Sequence, residues 1–158
     1  MKKFKVENNY KRIISYLLFI FWMAIIFYLS SQPVHQSNNL SKKVTKVVVE
    51  TVEKVAPKVE LNSSRANHIL RKNAHFFSCL VLGLLMMNAL RVSKRDMIKS
   101  IVFALLFCIL YAILDELHQL FVPGRGAQVK DVIIDTSGAI VGILLYGTCN
   151  YYIINRKR

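Results

Sequence analysis

The stretch from Ile98 to Phe121 decides the fold class, and it reads IKSIVFALLFCILYAILDELHQLF. No charged residue interrupts it between Ile101 and Leu114, and it exceeds the roughly 20 residues that a helix needs to cross a bilayer. Three other stretches share this length and apolar character. The four predicted spans are Ile13–Ser31, Ala74–Leu90, Ile98–Phe121 and Val132–Ile154. A soluble domain would instead alternate apolar and polar residues at the period of a helix or a strand.

These spans predict an all-α membrane protein, a four-transmembrane-helix bundle with one amphipathic interfacial helix in the first outer loop. The chain has 158 residues, of which 54% are hydrophobic, and the sequence outside the spans leaves no room for a separate globular domain. We expect a basic tail over residues 1–12, a single membrane domain over residues 13–154 and a second short tail over residues 155–158.

The net charge of +13 does not indicate a nucleic-acid-binding protein. Twelve of the 22 Lys and Arg residues lie in the two tails and in the loop between the second and third spans, where basic residues set membrane orientation and contact anionic headgroups. They are Lys2, Lys3, Lys5, Lys11, Arg12, Arg91, Lys94, Arg95, Lys99, Arg156, Lys157 and Arg158. We therefore expect membrane lipid as a partner and no nucleic acid.

The same basic residues predict the topology. The two tails and the loop Arg91–Lys99 lie on one side of a four-span protein, and the positive-inside rule makes that side the cytoplasm. The turn 122–130 and the longer segment 32–73 then face outward. The first span resembles a secretory signal, but its apolar run is long and no small-x-small cleavage site follows, so we expect an uncleaved span.

The outer segment 37–59 has the pattern of an amphipathic helix. Its apolar residues recur at helical spacing, with lysines and glutamates on the other face, and Pro57 would end the helix. The apolar residues are Leu40, Val44, Val47, Val48, Val52 and Val55. The pattern fits an interfacial anchor, and it also fits a lid over the outer face.

All four spans carry their polar residues at the outer end, which predicts a pocket between the helices there. On the second span, Lys72 and His75 share one helical face. On the fourth span, Asp131 and Asp135 share a face with Gly138 and Gly142, a small-xxx-small pair that indicates close helix packing. The three cysteines Cys79, Cys108 and Cys149 all fall inside spans, and we interpret them as packing residues.

Each polar residue also has a structural interpretation. Asp131 can cap the fourth helix, and the side chains of His75 and His118 can find hydrogen-bond partners at helix ends. Asp115 and Glu116 lie near a helix C-terminus, where the dipole disfavours negative charge, so they need a cation, a proton or a metal. An ion pair with Lys72 or Arg125 would meet that need. The turn Val122-Pro123-Gly124-Arg125-Gly126 would hold Arg125 beside the cluster.

These residues resemble the VanZ-like family of bacterial membrane proteins, which is named for a teicoplanin-resistance accessory protein. The resemblance lies in Lys72-Asn73-Ala74-His75-Phe76, in the run from Asp115-Glu116-Leu117-His118 to Val122-Pro123-Gly124-Arg125, and in Asp131-Val132 with Asp135-Thr136-Ser137-Gly138. The first span, ending Tyr28-Leu29-Ser30-Ser31-Gln32-Pro33, also fits. An amide is frequent in the family at the position of Asp135, so the resemblance assigns no catalytic carboxylate there. It implies a four-helix membrane protein linked to lipoglycopeptide resistance.

The sequence leaves three functions open. The first is an outer pocket for a lipid-linked or cell-wall-related anionic ligand, such as a lipid-linked cell-wall precursor or a glycopeptide. There Glu116, His75 and Asp131 are the candidate acid, base or metal groups, and a divalent metal is a candidate cofactor whose ligands the spacing does not define. The candidate ligand-binding residues are Lys72, Arg125, Gln119, Asp115 and His118. The second is a non-catalytic binding or shielding protein. The third is a small transporter, which a cluster at one end of the spans disfavours because transporter sites lie near the midplane.

Overall fold

The computed structural model describes residues 2–33, 63–93 and 95–156, and every regular element in these ranges is an α-helix. The four helices are α1 (Lys2–Ser30), α2 (Ser63–Val92), α3 (Met97–Gln119) and α4 (Val129–Asn155). The predicted amphipathic segment 37–59 lies outside the described residues.

All four helices are long and apolar enough to cross a membrane, which confirms the predicted class. The membrane-spanning segments are Asn9–Ser30, Ile69–Val92, Met97–Gln119 and Val129–Ile153. All four helices begin before the predicted spans, most of all α1, which begins at Lys2, and α2, which begins at Ser63. Backbone hydrogen bonding continues into polar sequence, whereas the predicted spans counted only apolar length.

The ends of α3 follow from local chemistry. Asp96 caps its first turn, because its carboxylate accepts hydrogen bonds from the backbone N–H groups of Ile98 and Lys99 at 3.1 and 3.3 Å. The helix ends at Gln119, two residues before the predicted end, because a tight turn follows. In that turn Arg125 N donates to Val122 O at 3.0 Å, and Gly124 has a φ of 78°. Pro followed by a left-handed Gly is the pattern of a type II turn.

The most extensive helix contact joins α2 to α4. A Cβ added to Gly138 would lie 2.1 Å from Phe76 O, and one added to Gly142 would lie 2.1 Å from Leu80 O. From the other side, a Cβ on Gly83 would lie 2.6 Å from Ala139 O. The two backbones are therefore in direct contact, as small residues allow in membrane helices.

The other helices pack around this pair, α1 on α2 and α3 on both. Trp22 Nε1 donates to Ser78 O at 2.9 Å, and the Tyr111 hydroxyl donates to Met23 O at 2.8 Å, so polar bonds join α1 to α2 and to α3 within the apolar interior. The outer faces are apolar too, with Phe21 64% and Leu106 62% exposed. Lipid is the solvent that such faces require.

Candidate functional site

The helices bring their polar residues together at one end of the bundle, which we call the polar end. Here α1 and α3 end and α2 and α4 enter the apolar region. Lys72, Gln119 and Asp131 form an outer layer, contributed by α2, α3 and α4. His75, Asp115 and Asp135 form an inner layer, three or four residues deeper on the same three helices. At about 1.5 Å per residue, the inner layer lies roughly one helical turn below the outer one.

A cavity of about 190 Å³ opens between the helices at this end. Its walls come from the start of α2, the end of α3, the turn and the start of α4. The lining residues are Arg71, Lys72, His75, Gln119, Gly124, Arg125, Gly126, Gln128, Asp131 and Ile134. Of the residues that the sequence singled out, Lys72, His75, Gln119, Arg125 and Asp131 line it, and Arg71 and Gln128 join them.

One of the cationic side chains in this cavity is already neutralised. Lys72 Nζ lies 2.9 Å from Asp131 Oδ1, and the two side chains are similarly half-buried. Asp131 also lies in the first turn of α4, where the helix dipole favours a negative charge. The pair therefore joins α2 to α4 and leaves Asp131 with a structural partner.

Arg125 retains unused hydrogen-bonding capacity. Its Nη1 donates to Gln119 Oε1 at 3.3 Å, while its buried Nε has no hydrogen-bond partner. Burial lowers the pKa of Arg125 from its ordinary value, the charge of Arg71 lowers it further, and Asp115 and Glu116 raise it. No acidic side chain among residues 2–33, 63–93 and 95–156 forms an ion pair with either arginine. Two like charges thus face the cavity, where an anion would satisfy both.

The inner layer is almost fully buried. Asp115 is 3% exposed and accepts hydrogen bonds through Oδ2 from Ser30 Oγ at 2.7 Å and from Gln119 Nε2 at 3.2 Å. Asp135 is 2% exposed, and its Oδ2 lies 3.6 Å from His75 Nδ1. Among the residues that the structure describes, the Oδ1 atoms of both carboxylates have no hydrogen-bond partner. His75, Asp115 and Asp135 each offer a ligand atom within 4.8 Å of the other two, so this set could hold a metal ion.

Two predicted site residues lie away from the cavity wall. Glu116 Oε2 accepts a hydrogen bond from Gln128 N at 2.9 Å and so fastens the segment before α4 onto α3. The ring of His118 packs against Phe27 of α1, with 4.4 Å between ring centroids. The predicted group Glu116, His75 and Asp131 is thus divided, because His75 and Asp131 line the cavity and Glu116 lies behind the turn.

Sequence reasoning missed three contributors. It did not include Arg71 among the candidate ligand-binding residues, and it did not use Gln128. Ser30 ends the first span, but nothing in the sequence paired it with Asp115, which is 85 residues away. The signal in the sequence was that every predicted span has polar residues at its outer end. This signal places these residues at one depth in the membrane, but it does not show which of them pair with each other.

Four apolar helices with a buried polar site at one end define a multi-pass membrane protein. A family model described as VanZ/LLP1 matches residues 15–150, which is most of the chain and includes every residue of both layers. The chain belongs to the VanZ/LLP1 family, as the sequence motifs predicted. No curated protein and no solved structure gives a significant match to it.

Proposed function

We propose that the cavity binds the anionic headgroup of a lipid-linked or cell-wall-related ligand at the outer face of the bacterial cell membrane. The proposal rests above all on Arg71 and Arg125, which face the cavity without acidic partners among the described residues. A phosphate or carboxylate would accept hydrogen bonds from the unused Arg125 donors and would balance both charges. The aliphatic tail of such a ligand would lie along the apolar outer faces of the helices.

The make-up of the cavity wall bears on whether the ligand also reacts. Among residues 2–33, 63–93 and 95–156, the lining contains no Ser, Thr or Cys, so this part of the wall offers no hydroxyl or thiol as a covalent nucleophile. Binding alone is therefore the simplest activity that the wall supports. Hydrolysis of a phosphate ester by a bound water is the second candidate, which His75 favours because it is the group at the cavity base that can accept a proton near neutral pH.

We infer that binding at this site contributes to tolerance of teicoplanin-type glycopeptides, either by altering a lipid-linked cell-wall precursor or by shielding it. The VanZ-like resemblance supports the link to tolerance, and the cationic cavity supports the anionic ligand. Neither role requires transport across the bilayer.

The binding test uses the purified protein in lipid nanodiscs. A polyprenyl phosphate is titrated against a polyprenol of equal length, in zwitterionic lipid. We expect saturable binding of the phosphate only. Arg125→Lys keeps the charge but loses the planar donor pair, so it should weaken binding about tenfold. The control is Arg95→Lys, a residue exposed at the opposite end, which should bind as the unsubstituted protein does. Equal affinity for the two lipids, or for the two variants, would rule out the proposed site.

The orientation has its own test. We expect both termini and the loop between α2 and α3 to be cytoplasmic, because short basic regions remain inside. On a background without Cys79, Cys108 and Cys149, Ala127→Cys should react with a membrane-impermeant thiol reagent in intact cells, and Ser93→Cys should not. The reverse labelling would place the cavity on the cytoplasmic face.

A further inference from the structure

The inner layer contains two carboxylates whose charge the described neighbours do not balance. Asp115 and Asp135 are almost fully buried, and the donors to Asp115, Ser30 and Gln119, are neutral. Lys72 is engaged with Asp131, and Arg125 interacts electrostatically with Asp115 without forming an ion pair with it, which leaves the imidazole of His75 as the basic group next to the two carboxylates. Buried carboxylates without a counter-charge are strongly disfavoured, so this layer requires either a proton or a further cation.

We propose that His75, Asp115 and Asp135 form a binding site for one divalent transition-metal ion of the Zn²⁺ or Mn²⁺ class at the base of the cavity. The donor set of one imidazole nitrogen and two carboxylate oxygens suits these ions. Two ligand atoms, each about 2.1 Å from an ion, lie at most about 4.2 Å apart. The observed separations, all within 4.8 Å, need only a small inward movement to reach that range.

Two features of the surroundings support a metal site over a chance cluster. The Oδ1 atoms of both aspartates are buried and have no hydrogen-bond partner, so each has an acceptor available to an ion. Ser30 and Gln119 both donate to the other oxygen of Asp115 and fix the orientation of its carboxylate, as the hydrogen-bond donors around metal ligands do in metal sites.

The backbone contact between α2 and α4 places two of the three ligands, His75 and Asp135. Gly138, three residues after Asp135, packs against the carbonyl of Phe76, the residue that follows His75. A side chain at this glycine would separate the two helices and with them two of the three ligands. The close contact therefore keeps His75 near Asp135, in addition to packing α2 against α4.

His75 also lines the cavity, so an ion at this site would have an approach path and open coordination positions on that side. Those positions could receive an oxygen of the bound anion, a link that rests on the proposed function. The metal site itself stands on the three ligands and is tested without the anion.

The test measures metal binding to the purified, chelator-stripped protein by equilibrium dialysis with Zn²⁺, Mn²⁺ and Mg²⁺ separately. We expect one Zn²⁺ or Mn²⁺ per chain and weaker binding of Mg²⁺, which prefers oxygen ligands alone. His75→Gln, Asp115→Asn and Asp135→Asn should each weaken binding at least tenfold. Glu116→Gln removes a neighbouring buried carboxylate outside the triad and should leave affinity unchanged. Unfolding of each variant, followed by Trp22 fluorescence, identifies any variant that is not folded.

The inference is overturned if the folded protein binds none of these ions at up to about 1 mM, the weak end of biological affinity for divalent ions. It is also overturned if folded triad variants bind as tightly as the Glu116→Gln control. Phosphate-lipid binding measured in chelator separates the two proposals. Anion binding that persists without any metal binding refutes the metal site alone, and metal binding without anion binding refutes the proposed function alone.

Discussion

The two ends of the bundle use buried polar groups in opposite ways. At the end opposite the cavity, Ser100 Oγ donates to Asp96 O at 2.7 Å, Ser15 Oγ donates to Lys11 O at 2.9 Å, and Asn88 donates to Ser15 Oγ at 3.2 Å. These bonds lie within one helix or between two neighbouring helices, and they satisfy small neutral groups. Arg91 Nε is the exception there, since it is buried without a partner.

At the polar end, by contrast, ionisable groups are buried and several of their atoms lack partners. They are Asp115 Oδ1, Asp135 Oδ1, His118 Nε2 and Arg125 Nε. Unsatisfied buried atoms are uncommon in folded proteins and mark sites that complete themselves with a ligand, an ion or water. Burial of polar residues, or one unpaired charged atom such as Arg91 Nε, therefore does not locate a site, whereas several incompletely paired ionisable groups gathered at one end do.

The largest expected effect comes from the glycines that set the α2–α4 contact. Gly138→Ala places a Cβ about where Phe76 O lies, and both colliding groups belong to backbones that cannot rotate away. We expect a loss of stability of at least about 2 kcal/mol, within or above the range for overpacking. The measurement is thermal unfolding in detergent together with membrane abundance.

Gly147→Ala is the matched control at the opposite end, because its Cβ would meet only the flexible end of Met97 at 3.4 Å. It should not lower stability, and it should raise it by at most about 1 kcal/mol, the gain of Ala over Gly within a helix. Equal stability of the two alanine variants would show that the helices are not in the close contact that positions His75 beside Asp135.

The next largest expected effect is a difference in stability between the variants of two buried serines, Ser30 and Ser100. Ser30→Ala removes a donor to the carboxylate of Asp115, and hydrogen bonds to charged groups contribute about 1.5–3 kcal/mol. Ser100→Ala removes a donor to a carbonyl that still accepts from Ser100 N at 2.9 Å, so it should cost about 1 kcal/mol or less. Chemical denaturation of both variants compares them directly, and a larger loss for Ser100→Ala would contradict the contrast between the ends.

The smallest expected effect is that of a substitution at Glu116, and it tests whether this residue has a structural or a direct chemical role. Glu116→Gln keeps an oxygen that can accept from Gln128 N, so stability should change by no more than about 1 kcal/mol. Affinity for the phosphate lipid should stay within about threefold, because the side chain lies behind the turn. A folded Glu116→Gln variant that loses ligand binding would instead support the direct chemical role that the sequence predicted for this residue.

The fold class could be predicted from the sequence because span length and apolar composition are local properties. Sequence reasoning placed the polar groups at one level because each helix runs opposite to the one before it. It could not separate Asp115 from Glu116, which are adjacent in the chain but point about 100° apart around the helix. Only the rotation of α3 within the bundle turns Asp115 toward Ser30 and His75 and Glu116 toward the turn, and that rotation depends on packing between distant segments.

Whether the polar end forms an anion-binding cavity can be seen in a structure determined in nanodiscs with a polyprenyl phosphate. We expect density for the phosphate between the guanidinium groups of Arg71 and Arg125, with the Lys72–Asp131 pair intact beside it. A structure in which Arg125 turns to pair with Asp115 or Glu116 and closes the cavity, with the phosphate bound elsewhere, would rule out the proposed site.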